Sequence, residues 1–209
     1  MRRAAEKEAI EARLSARESA SPVVLGSAIA ATDDIEYRHV VVKGEFVADW
    51  PVYLDNRPYR GVAGFYLLMP FKVAGSDRHI LVARGWLPRD PVNRSQVRPT
   101  ETPVGPTEIR GSARRNPGHV LQLGRAATLR PGEIVQNVDI AEFGKASKLS
   151  MAPFMIEQQD GAQDGLVRDW PRPSSGVEKH FGYAFQWYAL AATAFIFFLI
   201  TGCRGSFRD

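Results

Sequence analysis

Residues Gly64 to Leu87 read GFYLLMPFKVAGSDRHILVARGWL. Two apolar runs, Gly64 to Val73 and His79 to Leu87, flank Gly75-Ser76-Asp77, and that pattern predicts a β-hairpin. Working outward, Tyr37 to Val47 (YRHVVVKGEFV) sets Val40, Val42 and Phe46 on one face at period two. Val52 to Leu54 resumes the extended pattern after Asp49-Trp50-Pro51, and Asp55-Asn56-Arg57-Pro58 turns the chain. Shorter strands are expected at Thr107 to Ala113, Glu133 to Val138 and Phe154 to Glu157, with a helix between Asp139 and Lys148. Pro88 to Pro106, rich in Pro, Arg and Thr, reads as a surface loop. The expected fold class is α+β: a strand-rich domain, either an antiparallel sheet or barrel-like, spanning residues 22–176.

The flanks differ from this core. Met1 to Ser19 is rich in Ala, Glu, Arg and Leu and reads as a short charged helix that stops near Ser21-Pro22. It is no signal peptide, because Glu6, Lys7, Glu8, Glu11 and Arg13 interrupt every apolar run. Gln158 to Gly176 (QQDGAQDGLVRDWPRPSSG) has the Gly, Asp, Pro and Ser content of a linker or long loop. After it, Phe181 to Cys203 holds no formal charge, and at helical rise these residues reach about 34 Å, slightly more than a hydrocarbon core. A C-terminal transmembrane helix is therefore expected over residues 177–203, with a tail at 204–209 in which Arg204 and Arg208 favour the cytoplasmic side.

Totals narrow the function. Outside the span, the 209-residue chain leaves enough for one domain with a real core. Its single cysteine, Cys203, excludes an intramolecular disulfide and any CxxC metal site. The net charge of +4 and the pI near 9.4 come from cations spread along the chain, without the basic patch and aromatic platforms of a nucleic-acid binder. Gly144-Lys145 lacks the earlier glycine of a phosphate loop, since Asp139 stands there, and no GxSxG elbow exists. His39, His79, His119 and His180 are about forty residues or more apart, without the close spacing that sets two imidazoles on one metal.

His180 stands apart by position, at the mouth of the expected membrane helix. His180, Tyr183 and Trp187 follow an i, i+3, i+7 spacing that places them along one helical face. Such an imidazole could donate an axial bond to a haem iron whose macrocycle lies against the aromatic rings. It also reads as an interfacial histidine bonded to a headgroup, water or carbonyl. Arg84 and Trp86 carry a similar ambiguity: Arg84-Gly85-Trp86 could grip a propionate, or could be a structural cation-aromatic pair.

Two stretches resemble the signature blocks of the surfeit locus protein 1 family: Leu81-Val82-Ala83-Arg84-Gly85-Trp86-Leu87-Pro88 and Glu178-Lys179-His180-Phe181-Gly182-Tyr183-Ala184-Phe185-Gln186-Trp187. Looser matches fall in order between them at Lys43-Gly44-Glu45-Phe46, Gly64-Phe65-Tyr66, Ile109-Arg110-Gly111, Asn137-Val138-Asp139 and Pro153-Phe154. Ala83 departs from the pattern, standing where many members carry Asn.

The resemblance implies a non-enzymatic assembly factor for cytochrome c oxidase in a bacterial inner membrane, its main domain on the periplasmic side between two membrane helices. It implies haem a as the bound group, with His180 as axial ligand to the iron and Tyr183 and Trp187 as aromatic surroundings; Arg84 and Trp86 stand beside these as cofactor-binding candidates on their own chemistry. The implied partners are the oxidase large subunit, haem a synthase and membrane lipid, with no nucleic acid. A first membrane helix is implied ahead of residues 1–21, which resemble the charged segment that follows it. The alternative is a protein-interaction scaffold in which Ala184, Ala191 and Ala194 dock the oxidase subunit without a cofactor.

Overall fold

The computed structural model describes residues 12, 14–26, 32–93, 96–98, 100–120, 128–161, 163–171 and 186–193. In chain order the elements are β1 (Val23–Leu25), α1 (Thr32–Ile35), β2 (His39–Phe46), β3 (Val52–Leu54), β4 (Gly64–Val73), β5 (Arg78–Pro88), β6 (Thr107–Arg114), β7 (Ile134–Val135), α2 (Ile140–Ser147) and β8 (Ser150–Gln158). Residues 14–19 and 186–193 are also helical.

The sheet closes on itself. Strand β2 pairs with β6, β6 with β8, β8 with β5, β5 with β4, and β4 returns to β2 through Gly44↔Val73, Glu45↔Lys72 and Phe46↔Phe71. All of these pairs are antiparallel except β5 with β8. Strands β1, on β2, and β3 with β7, on β4, extend the sheet beyond the ring. The expected domain is thus a mixed barrel rather than an open antiparallel sheet.

Alternation along the strands builds two cores. Val40, Val42 and Phe46 of β2 join Phe65, Leu67, Met69 and Phe71 of β4, Ile80 and Val82 of β5, and Phe154 and Ile156 of β8 in the interior. A barrel this small has room for side chains alone. The opposite face of β4, β5 and β8 presents Leu68, Leu81, Ala83 and Met155 to Val138, Ile140 and Phe143, so that face is buried too. Helix α2 supplies this cover. Asp139 caps its start by accepting from Glu142 N at 2.9 Å, Lys148 ends it in the left-handed conformation, and Phe143 meets Trp50 edge-on.

The strands expected within the domain and the helix expected between Asp139 and Lys148 form, with shifts at two; most of the charged helix expected over Met1 to Ser19 lies outside the described residues. Strand β7 shortens to two residues, and β8 begins at Ser150 rather than Phe154. Pro153 argues against a strand in sequence, but it falls where the β5–β8 register jumps between His79↔Met151 and Leu81↔Met155, an irregularity that spares the missing N–H. The segment expected to be linker is also firmer: residues 164–170 lie on the barrel and include Leu166 among the side chains packed on the interior core. The chain divides into two compact units, Met1–Trp170 and Pro171–Asp209. No helix among the described residues is long and apolar enough to cross a membrane, and most of the expected span, Phe181 to Cys203, lies outside them.

Candidate functional site

The Arg84-Gly85-Trp86 motif sits where β4 and β5 lose register. Leu68 opposes Ala83 and Leu67 opposes Gly85, which leaves Arg84 as the extra residue of a β-bulge. A bulge re-aims side chains, and here it points a guanidinium into the barrel mouth. Arg84 is 1% exposed, with its guanidinium carbon 5.0 Å from the centre of the Phe46 ring. Its Nη1 donates to Thr102 Oγ1 at 3.0 Å, and its Nη2 donates to Glu101 O and to Asp164 Oδ2, both at 2.9 Å. Arg168 donates to the same carboxylate oxygen at 2.6 Å. Burial pushes the Arg84 guanidinium below its ordinary value, and the Asp164 carboxylate opposes that shift.

Asp164 comes from the segment that follows β8, and this segment forms a strap across the motif. Val167 and Trp86 exchange backbone hydrogen bonds at 2.7 and 2.9 Å. Gly85 has φ 154°, and a Cβ there would lie 2.7 Å from the Leu166 Cβ, so only glycine lets the strap come this close. Trp86 fills the other side. Its Nε1 donates to Arg57 O at 2.7 Å, its ring lies 5.2 Å from that of Tyr59, and a Cβ on Gly64 would meet it at 2.3 Å. Further along, Trp170 packs on Tyr66 and donates to Gln158 O at 2.7 Å.

Neighbouring charges are paired in the same manner. Arg114 holds Glu157 at 2.7 Å with its own guanidinium over Tyr37, while burial raises the Glu157 carboxyl against the pull of Arg114. Arg57, 7% exposed, donates to the carbonyls of Asp55, Gly118 and Gln136 and so ties two loops to the end of β3. Arg89 pairs with Asp55 nearby.

The five residues singled out in sequence therefore have different surroundings. Arg84 and Trp86 share one motif but not one contact, since Arg84 faces Phe46 and Trp86 faces Gly64 and Tyr59. His180 and Tyr183 lie outside the described residues. Trp187 lies on the helical segment 186–193 and is 72% exposed, with Tyr188 and Leu190 exposed beside it. No group of three or more His, Cys, Asp or Glu that could hold a metal occurs among the described residues. A cavity of about 480 Å³ opens at the β4–β5 hairpin, lined by Gly44, Glu45, Lys72, Gly75 and Ser76, away from the motif. Asp164 and Arg168 escaped the sequence reading because they lie in a polar Gly-Asp stretch. The signal was there in Val167 and Trp170, apolar residues that a free linker does not need.

These features define a class: a small closed barrel, filled by its own side chains, whose mouth is clamped by a C-terminal strap through a buried charge cluster. The chain belongs to the SURF1 family, whose model matches residues 1–192. It is 27% identical to a SURF1-like protein of Rickettsia bellii (strain RML369-C) over 180 residues, covering 80% of this chain and 70% of that protein. It is 26% identical to a SURF1-like protein of Drosophila melanogaster, covering 92% of this chain and 68% of that one. A shorter similarity, 30% over 60 residues, covers 29% of this chain and 15% of the cytochrome oxidase assembly protein SHY1 of Saccharomyces cerevisiae (strain ATCC 204508 / S288c).

Proposed function

We propose that this chain is a non-enzymatic factor for cytochrome c oxidase assembly. It would be anchored in a bacterial inner membrane with its barrel on the periplasmic side and the oxidase large subunit as its main partner, with haem a synthase and lipid as further ones. Membership of the SURF1 family carries this reading, and the similarity to the yeast oxidase assembly protein supports it.

The finer reading is that the chain holds haem a and passes it to the large subunit. When bound, such a group supplies an iron that accepts a nitrogen ligand and a macrocycle that seeks apolar cover. His180 would provide the imidazole, with Tyr183 and Trp187 beside it; the exposed Trp187, Tyr188 and Leu190 suit apolar cover. Arg84 and Trp86 do not suit a direct grip in the conformation described, because both are buried and already hydrogen-bonded. Their part in this reading is to fix the strap that precedes the His180 block in the chain.

The test is expression of the full chain in cells that make haem a. The purified protein should show a Soret band that His180→Ala abolishes. A colourless protein, or a variant with an unchanged spectrum, overturns ligation at His180. Oxidase assembly that survives deletion of the whole chain overturns the broader role.

A further inference from the structure

We propose that the turn Tyr59 to Val62, with Val92 at the same end of the barrel, rests on the surface of the membrane. The proposal deepens the membrane-anchored reading above and rests on it.

The β4–β5 ribbon runs past the closed ring, and at its free end Gly64 pairs with Pro88. The residues just before Gly64 form a tight turn in which Tyr59 and Val62 exchange backbone hydrogen bonds at 2.9 Å. Arg60 (φ 48°) and Gly61 (φ 81°), both left-handed, push the turn outward. Val62 is 52% exposed, and the Arg60 side chain, 78% exposed, lies over the Tyr59 ring at 5.1 Å. Arg89 N donates to Ala63 O at 3.0 Å, which holds the start of the next loop here. Three residues on, Val92 is 94% exposed and is positioned by Asp90, whose Oδ1 accepts from Val92 N and Asn93 N.

A phenol, a guanidinium and two exposed aliphatic side chains form the mixture that the boundary of a bilayer accepts: apolar bodies enter the acyl edge while the cation stays among phosphates. Chain continuity selects lipid as the occupant. Tyr59 donates to Asp169 Oδ2 at 3.0 Å, and the barrel unit ends one residue later, at Trp170. Only ten residues, Pro171 to His180, then separate it from the uncharged run beginning at Phe181, a reach of at most about 35 Å. The turn is tethered at the point where the chain leaves for the bilayer. Arg60 meets Asp169 only at 3.8 Å, with both side chains exposed, so a lipid phosphate can compete for it.

Two other valines serve as controls. Val24 and Val104 are 78% and 101% exposed, but Val24 lies on the barrel's flank, beside Val41. Val104 lies two residues before Pro106, which lines the cavity at the opposite, Gly75 end.

The full chain in a Cys203→Ser background, with single cysteines at Val62, Val92, Val24 or Val104, would be labelled with an environment-sensitive NBD dye and placed in phosphatidylglycerol-containing nanodiscs. The labels at Val62 and Val92 should shift to the blue and be quenched by nitroxide lipids, while those at Val24 and Val104 should not. Arg60→Glu should reduce the shift at Val62. Retention of the chain in alkaline carbonate with a Val62 label indistinguishable from that at Val24 overturns the proposal alone and leaves the turn to a protein partner. Loss of the chain from the bilayer in carbonate overturns the anchor and the proposal together.

Discussion

Arg84 and Asp164, 80 positions apart in the chain, meet at 2.9 Å inside the barrel mouth with side chains 1% and 5% exposed. Arg168 shares the same oxygen. Three charged groups therefore meet under a strap that is also held by two backbone bonds to Trp86, the packing of Leu166, and the bonds of Trp170 to Gln158 O and of Tyr59 to Asp169. A barrel closed by apolar packing does not need this cluster for bulk stability, since buried ion pairs contribute little net energy. What it does fix is where the strap lies.

The shared carboxylate predicts an order of effects. Asp164→Ala removes the carboxylate that both guanidinium groups share and should cost about 3–5 kcal/mol. Arg84→Met leaves Asp164 paired with Arg168 and removes donors from Glu101 O and Thr102, for about 1–3 kcal/mol. Urea unfolding in detergent would measure both. Equal losses would mean that the shared carboxylate is not what holds the cluster together.

Glycine substitutions test the packing around Trp86. Gly64→Ala places a methyl about where the indole already is, at 2.3 Å, and the ring cannot yield without breaking its bond to Arg57 O. The expected cost is about 1–3 kcal/mol. Gly26→Ala, where nothing lies within 4 Å, should stay within about 0.5 kcal/mol. Matched midpoints for the two variants in thermal unfolding would show that Trp86 is loosely held.

How much of this was legible in sequence depends on the range of the interaction. The β4–β5 hairpin is written in adjacent residues, two apolar runs around Gly75-Ser76-Asp77, and α2 in its caps, Asp139 and Lys148. Barrel closure is not local: Gly44 can approach Lys72 O only because it lacks a Cβ, and nothing near Gly44 in the chain names that partner. The parallel pairing of β5 with β8 joins strands more than sixty residues apart, and no spacing rule points to it. At the site, the Arg84-Gly85-Trp86 motif was visible, but its purpose depends on a bulge and on Asp164, which looks like any linker carboxylate until the strap is seen. His180 and Tyr183 share a helical spacing in the sequence and lie outside the described residues.

The pH dependence of stability should carry the mark of His79. This ring is 8% exposed and faces Lys72 across the β4–β5 pair, with Asp77 and the backbone of Ser150 nearby. Burial, aided by Lys72, lowers its pKa from the ordinary 6.5. Below 6.5 the unfolded chain takes up the proton before the folded one does, so the stability present at neutral pH is lost as pH falls toward the depressed value. His79→Gln should flatten this part of the profile. Unfolding free energies at pH 7.5 and 5.5 would check it, and parallel slopes for parent and variant would place the acid sensitivity elsewhere.

The last prediction separates a strap anchor from a ligand contact at Arg84. If the guanidinium only holds the strap, Arg84→Met should make the 164–170 segment easier to cut. Arg168, freed of one constraint but still paired with Asp164, offers trypsin a site there. Any pigment bound through His180 should keep its Soret position in that variant, because axial ligation sets the spectrum and Arg84 is not an iron ligand. Arg84→Lys retains the charge but loses the planar fork that reaches Glu101 O, Thr102 and Asp164 together, and should fall between parent and Arg84→Met in trypsin resistance. Limited proteolysis and absorption spectra of the same preparations give both readouts. A variant with normal trypsin resistance but a shifted or lost Soret band would show that this buried arginine reaches the cofactor after all, which requires the strap to open when the group is held.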